Sequence, residues 1–482
     1  MKKHLSCLIL SLAFCASLPA QHLVSSTLLG SKTKAQLANQ FQLPFFQYGV
    51  KYYRITYTTT GLQGQPDTVS GLVVVPNDAG FVYPRLVYQH GTSSSKTDVP
   101  SFNVVQNGEG IIGWLFGGLG YVTLMPDYLG LGVSDGFHPY VHAASEASVA
   151  ADMLRALPEF LDQAGFHTND QLFITGYSQG GHAAMALHRE VETELADEFS
   201  VTAAAHLSGP YSIGEVMRDL ILSDSIYYYP AYLPNTILSY QTAYGNLFSQ
   251  LSEVFKAPYS TVIGQFYAGA INLNQLNSQL IAQLTTTEGA CRPFRMLQPA
   301  IVQAVLTDPA HPFNAALRDN NVYAWAPQAP TRIFYCMADD QVPYKNSLVA
   351  LDTMLARGAK DVAVQDLDSN ADHGECVTPA LTNTILFFVG YQQVAPFVST
   401  GEAAIQPLTL HPNPANTSVT LRALPGAGQV YVFSSDGRLC GQRTVPGSGD
   451  IQIDVAALEN GVYFIQYASA GKTGQGKLVI QR

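Results

Sequence analysis

Three short apolar runs decide most of what this chain can become. Residues 86–88, 122–125 and 172–175 are continuously hydrophobic and each is bounded by Gly or Pro. A continuous run implies burial on both faces, and helical patterns follow at 145–163 and 180–196. Buried strands separated by helices are the mark of a parallel sheet covered on both sides. Only 50–59, where Val50, Tyr52, Ile55 and Tyr57 alternate, and 68–76, which ends at Pro76, read as an antiparallel pair. Further strands are expected at 201–207, 332–337 and 362–367, with a closing helix at 377–391. The sum is an α/β layered domain.

Composition supports a large core and removes several classes. Of 482 residues, 47% are hydrophobic and only 13% charged, which excludes a disordered chain. A formal net charge of −11 argues against nucleic acid as the main partner, because phosphate binding needs a basic footprint. Past the N-terminus no apolar run is long enough for a membrane span. The N-terminus itself has Lys2 and Lys3, an apolar stretch at 5–18 and Ala20 at a cleavage position. That is the pattern of a secretory signal peptide at 1–20, with Gln21 as the mature start. Cys7 and Cys15 leave with it, so Cys291, Cys336, Cys376 and Cys440 remain in a compartment that permits disulfides. Cys336 lies in the apolar run 333–337 and reads as a buried strand thiol. Cys291 and Cys376, both in polar, loop-like contexts, are the expected pair. No cysteine spacing matches a zinc site.

Two stretches depart from the strand–helix rhythm. Residues 210–330 are far longer than a usual βα connection and rich in tyrosine and amide side chains, and they read as an inserted helical cap. Residues 398–406 have few large apolar side chains and read as a linker after a catalytic domain at 21–397. From 407 to 482, short strands at 408–410, 419–421, 430–433, 451–455, 462–467 and 477–480 alternate with turn signals such as Asp436-Gly437 and Asn460-Gly461. This is a small β-sandwich.

The chemistry concentrates at Gly176-Tyr177-Ser178-Gln179-Gly180, directly after the 172–175 run and directly before a helix. In that context the glycines allow a sharp strand-to-helix turn that projects the serine hydroxyl above the sheet. The Gln179 amide, at the helix start, then points where a carbonyl oxygen would gain charge. A serine hydroxyl needs a base, and the base needs an orienting carboxylate, in the chain order Ser, acid, His. Asp339 and Asp340 stand where the 332–337 strand ends, and His373 follows the last strand in Asp372-His373-Gly374. The second oxyanion amide is expected from Gln89-His90-Gly91-Thr92, either Gly91 or Thr92. His90 reads as structural, His182 and His188 as packing or surface residues, His138 and His142 as no metal pair because Pro139 separates them, and Asp127 as a loop-orienting carboxylate, with pocket lining as its alternative.

Those segments carry a resemblance. Tyr88-Gln89-His90-Gly91-Thr92, Met125-Pro126-Asp127-Tyr128-Leu129-Gly130 and Gly176-Tyr177-Ser178-Gln179-Gly180-Gly181 resemble the secretory lipase group of the α/β-hydrolase superfamily. Asp339-Asp340-Gln341-Val342-Pro343 is similar to that group's acid motif, in which the aspartate stands three residues before the valine, and so favours Asp339. The resemblance implies an α/β-hydrolase fold, with a mostly parallel sheet, helices on both faces and a cap over an acyl-binding site. It also implies a carboxylic ester hydrolase with a small-molecule or lipid ester as substrate. The expected set is Ser178, Asp339 and His373 with oxyanion amides from Gln179 and Gly91 or Thr92, and it calls for no cofactor or metal. A peptidase on the same triad, or a silent surface-binding protein on the same fold, are the alternatives. In the tail, Leu410-His411-Pro412-Asn413-Pro414-Ala415, Asp436-Gly437-Arg438, Asn460-Gly461-Val462-Tyr463-Phe464 and Lys477-Leu478-Val479-Ile480 resemble the type IX secretion sorting domain. That resemblance implies engagement of the type IX machinery, export across an outer membrane, and then release or surface attachment.

Overall fold

The computed structural model describes residues 22–397, 406–435, 437–469 and 472–482. The signal peptide expected at 1–20, the start at Gln21, most of the linker (398–405) and Asp436 lie outside the described residues. The chain divides into two units between Phe397 and Val398, each with its own hydrophobic core.

In the first unit ten strands form one sheet among the described residues. They are β1 (Leu23–Lys32), β2 (Val50–Thr60), β3 (Pro66–Pro76), β4 (Phe81–Gln89), β5 (Val122–Pro126), β6 (His167–Tyr177), β7 (Ala203–Leu207), β8 (Thr331–Tyr335), β9 (Val362–Asp366) and the two-residue β10 (Ala395–Pro396). Their order is β1-β2-β3-β5-β4-β6-β7-β8-β9, with β10 pairing with β4. The β1 to β3 edge is antiparallel, β3 runs antiparallel to β5, and every neighbour from β5 to β9 is parallel. The sheet is therefore mixed. The sequence reading assigned no strand at 23–32, because most of β1 is exposed at the edge and shows no alternation.

Successive strand residues point to opposite faces, so one run supplies two cores. Leu86, Tyr88 and Phe173 pack with the helices Ile111–Gly118 and Val377–Val389. Val87, Leu172 and Ile174 pack on the other face with Ala143–Ala164 and Gln179–Thr193. Both faces are covered, which is why these strands carry no polar alternation.

Between β7 and β8 the chain leaves the sheet to build the helical cap. Helices including Tyr232–Tyr244, Tyr259–Tyr267 and Leu273–Glu288 enclose a separate core of Leu238, Phe255, Ile263, Leu276, Leu280 and Leu284. Several cap aromatics serve that packing, whereas Tyr228 and Tyr267 are exposed. No helix among the described residues is long and apolar enough to cross a membrane.

The second unit has two sheets. One contains β11 (Gln406–Pro407), β14 (Gly428–Ser434), β15 (Leu439–Val445), β17 (Gly461–Ser469) and β18 (Lys472–Ile480) in the order β11-β18-β17-β14-β15. The other contains β12 (Thr409–His411), β13 (Ser418–Leu424) and β16 (Gly449–Asp454) in the order β12-β13-β16. Val430, Val432, Ile465 and Tyr467 meet Val419, Leu421 and Ile453 in its core. β15 has no counterpart in the sequence reading because Gly441, Gln442, Arg443 and Thr444 give it no apolar face.

Phe173 lies fully buried between Tyr121 and Phe388, with ring centroids 5.3 and 4.9 Å away. Phe173→Ala is expected to lower unfolding free energy by about 3–5 kcal/mol, measured by urea denaturation of the first unit's transition.

Candidate active site

The turn at Ser178 exists because three strand ends leave room for nothing else. Ser178 has φ 60° and ψ −123°, a conformation that side-chain-bearing residues rarely adopt. It is fixed by its own amide, which donates to Leu207 O at 3.0 Å, at the end of β7. A Cβ at Gly180 would lie 1.9 Å from Gln89 O at the end of β4, and one at Gly176 would lie 2.2 Å from Gly180 O. The two flanking glycines are thus required by close backbone approach, and the result is a hydroxyl raised above the sheet.

Asp339 and His373 meet at the carboxyl ends of β8 and β9. His373 Nδ1 lies 2.7 Å from Asp339 Oδ2, and both side chains are almost fully buried. Asp339 Oδ1 accepts the amides of Gln341 and Val342 at 2.9 and 2.8 Å. With the carboxylate committed as an acceptor, the ring donates from Nδ1 and leaves the Nε2 lone pair open. Tyr177, beside Ser178, donates its hydroxyl to His373 O at 2.5 Å. Neither Ser178 Oγ nor His373 Nε2 has a hydrogen-bond partner among the described residues, and such contacts commonly tighten only with substrate bound. Asp340, the neighbouring carboxylate, takes a different place: it accepts the His373 amide at 3.3 Å and the Tyr229 hydroxyl, from the cap, at 3.1 Å. Tyr227 and Tyr232 donate to the backbone and side chain of Gln341 at 2.9 and 2.8 Å. Three cap tyrosines therefore hold the loop that carries Asp339.

The disulfide differs from the expected one. Cys336 pairs with Cys376, and Cys291 stays a free, buried thiol whose Sγ donates to Tyr227 O at 3.1 Å. Cys336 is accordingly no strand thiol. The cause is geometric: Cys336 stands three residues before Asp339 and Cys376 three after His373, so the Asp–His contact brings the sulfurs together. That symmetry was available in the sequence.

The oxyanion candidates separate as well. The Gln179 amide opens the helix Gln179–Thr193 and the Thr92 amide follows β4, and neither makes a hydrogen bond among the described residues. The Gly91 amide does not remain available. It donates to both carboxylate oxygens of Glu109, at 2.9 and 3.0 Å. Burial raises the Glu109 pKa above the usual carboxylate value, against the lowering pull of His90 and of the Gly91 and Tyr88 hydrogen bonds. His90 is buried, stacks on Tyr128 at 4.2 Å and places Nδ1 2.7 Å from Gly91 O. Asp127 accepts from the Ser70 and Ser101 hydroxyls and the Ser101 amide, and so ties β3 and β5 to the segment at 100–103.

Behind Gln179 runs a buried polar chain. Its side-chain amide donates to Glu146 Oε1 and to His138 Nε2, both at 2.9 Å, while Glu146 Oε2 meets His182 Nδ1 at 2.7 Å. His182 Nε2 reaches Asn320 O, and His188 pairs with His206 and Glu192. His142 caps its own helix, and no group of metal-ligating side chains occurs among the described residues. Glu109 and Glu146 were missed by sequence reasoning, although Glu146 gives a signal as a carboxylate on the buried face of an amphipathic helix.

Ser178 opens into an apolar cavity under the cap, lined among others by Tyr140, Ile213, Ile221, Ile237, Leu297 and Phe313. Residues 111–385 match the family described as secretory lipase, more than half of the chain. The chain belongs to the secretory lipase family. Residues 409–481 match the secretion system C-terminal sorting domain. Among solved structures, the rice cell wall degrading esterase LipA from Xanthomonas oryzae is 29% identical, with 77% of this chain and 97% of that one covered and a TM-score of 0.68. A putative hydrolase from Legionella pneumophila is 27% identical, covers 77% and 98%, and has a TM-score of 0.69. Candida antarctica lipase A, at 17% identity, 79% and 84% coverage and a TM-score of 0.58, shares the fold. No curated protein matched the chain. This secretory lipase relative is a carboxylic ester hydrolase of the lipase or esterase type, on an α/β-hydrolase fold.

Two outcomes test this geometry. The Cys336–Cys376 link closes a sequence separation of 40 residues, so replacing both cysteines with alanine is expected to cost about 4 kcal/mol of unfolding free energy, read by denaturation. His138 donates from Nδ1 to Leu129 O and accepts at Nε2 from Gln179, an arrangement that needs the neutral ring. Burial lowers its pKa from 6.5 to about 4. Between those values the unfolded chain binds a proton that the native ring refuses, so stability falls as pH drops from 6.5 toward 4. In His138→Gln this loss is expected to be smaller, seen by comparing both proteins' urea midpoints at about pH 7 and about pH 5.

Proposed function

We propose that the first unit is a secreted serine ester hydrolase acting through an acyl-enzyme. The observation that carries this reading is the Asp339–His373 hydrogen bond, with the Nε2 lone pair left open and Ser178 raised beside an apolar cavity. His373 Nε2 takes the Ser178 proton as Oγ attacks the ester carbonyl, and the C–O bond to the alcohol breaks as His373 returns that proton to the leaving oxygen. Asp339 keeps the ring in the required tautomer and stabilises the imidazolium. The amides of Gln179 and Thr92 hold the oxyanion. Water then attacks the acyl-enzyme by the same proton route, releasing the acid and Ser178.

The cavity's aliphatic and aromatic lining supports an acyl chain as the group bound beyond Ser178. The apolar start of the chain and the sorting-domain tail support export, with the type IX machinery as partner and the cell surface or medium as destination.

The test is hydrolysis of p-nitrophenyl esters from acetate to palmitate, with fluorophosphonate labelling alongside. Ser178→Ala is expected to fold, to lose labelling and to lower turnover by a factor on the order of 10⁴ or more. Turnover by the variant equal to that of the unaltered protein overturns the assignment.

A further inference from the structure

We propose that Glu109 is a positioning residue for the oxyanion site, one that anchors the His90–Gly91 peptide from which the Gly91–Thr92 peptide turns, so that the Thr92 N–H faces the substrate; this rests on the acyl-enzyme reading above. Gly91 is held at both its N–H and its C=O. Its N–H is gripped by both oxygens of the Glu109 carboxylate, at 2.9 and 3.0 Å. Its C=O lies 2.7 Å from His90 Nδ1. A peptide unit is planar and trans, so its C=O and the following N–H point in opposite directions. Holding Gly91 O against His90 therefore directs the Thr92 N–H the other way, while the grip on the Gly91 N–H fixes the preceding His90–Gly91 peptide from which that unit turns. Glycine at 91 would otherwise be the most freely rotating residue of the loop.

Glu109 is itself held by a second donor. Tyr88, a buried residue of β4, donates its hydroxyl to Glu109 Oε1 at 2.9 Å. The carboxylate stands just before the helix Ile111–Gly118, whose Trp114, Leu115 and Phe116 belong to the core. The chain of contact thus runs from sheet and core, through one carboxylate, to a loop amide. A Cβ on residue 91 would stand 3.4 Å from Glu109 Oε2, in contact with the carboxylate that holds the turn. Oxyanion donors act only when aimed in advance, because a donor that must reorient during reaction gives back what it stabilises. Glu109 supplies that aim without touching the substrate.

The experiment uses the full chain and reads kcat, KM and inhibition by a trifluoromethyl ketone carrying the preferred acyl chain, whose hemiketal oxygen occupies the oxyanion site. Glu109→Ala is expected to lower kcat and to weaken ketone inhibition by a similar factor, roughly tenfold to a hundredfold, with KM shifted less than about threefold. Glu109→Gln, which keeps one acceptor oxygen, is expected to recover most of both. A fall in kcat with ketone affinity unchanged, or no change in either, overturns the proposal, because a purely structural carboxylate would not discriminate the oxyanion mimic from substrate. Should Glu109→Ala not fold, Tyr88→Phe decides: it removes only the hydroxyl on Glu109 Oε1, and a smaller loss in the same two readouts is expected. Unchanged values there overturn the proposal. An unaltered protein that the ketone does not inhibit, and that labels no better than Ser178→Ala, overturns the acyl-enzyme reading itself and this proposal with it.

Discussion

The contact between Gly180 and the carbonyl of Gln89 is the constraint on which the rest of the site depends. With no room for a side chain, the helix Gln179–Thr193 starts against the end of β4, and the chain must turn through a left-handed serine to reach it. Everything chemical is then arranged around that turn. The Leu207 carbonyl fixes it from β7, the Thr92 loop lies at the end of β4, and Tyr177 reaches across to the histidine loop. A parallel sheet brings these carboxyl strand ends to one edge, which is where open α/β sheets place their ligands.

Around this turn two carboxylates act through others. Glu109 holds a loop amide and Glu146 holds the Gln179 side chain, and both are flanked by groups that donate hydrogen bonds to them. Partly or fully enclosed acids of this kind are costly unless paired, and here both oxygens of each are hydrogen-bonded. Order around the turn thus comes from polar contacts to Gly91, beside Thr92, and to the side chain of Gln179.

Much of this was legible in the sequence. Continuous apolar runs gave away the buried parallel strands, and the glycine-flanked serine between strand and helix located the turn. The meeting of Asp339 and His373 was readable because both stand just past strand ends, a matter of chain order. What stayed hidden depended on contacts distant in sequence. β1 and β15 lie at sheet edges with exposed or polar side chains, so no alternation marks them. The Cys336–Cys376 link follows from the meeting of two loops rather than from the polarity around each cysteine. The loss of Gly91 as a donor required knowing that a glutamate eighteen positions on would fold back onto it.

The three tyrosine contacts from the cap give the molecule a mechanical property. Tyr227 and Tyr232 hold Gln341 while Tyr229 holds Asp340, so the cap is fastened to the same loop that orients the histidine. A cap swinging away as a rigid cover would have to break these three hydrogen bonds or draw the loop that carries Asp339 with it. The fastening of the cap and the seating of the carboxylate that meets His373 are thereby one feature of the structure.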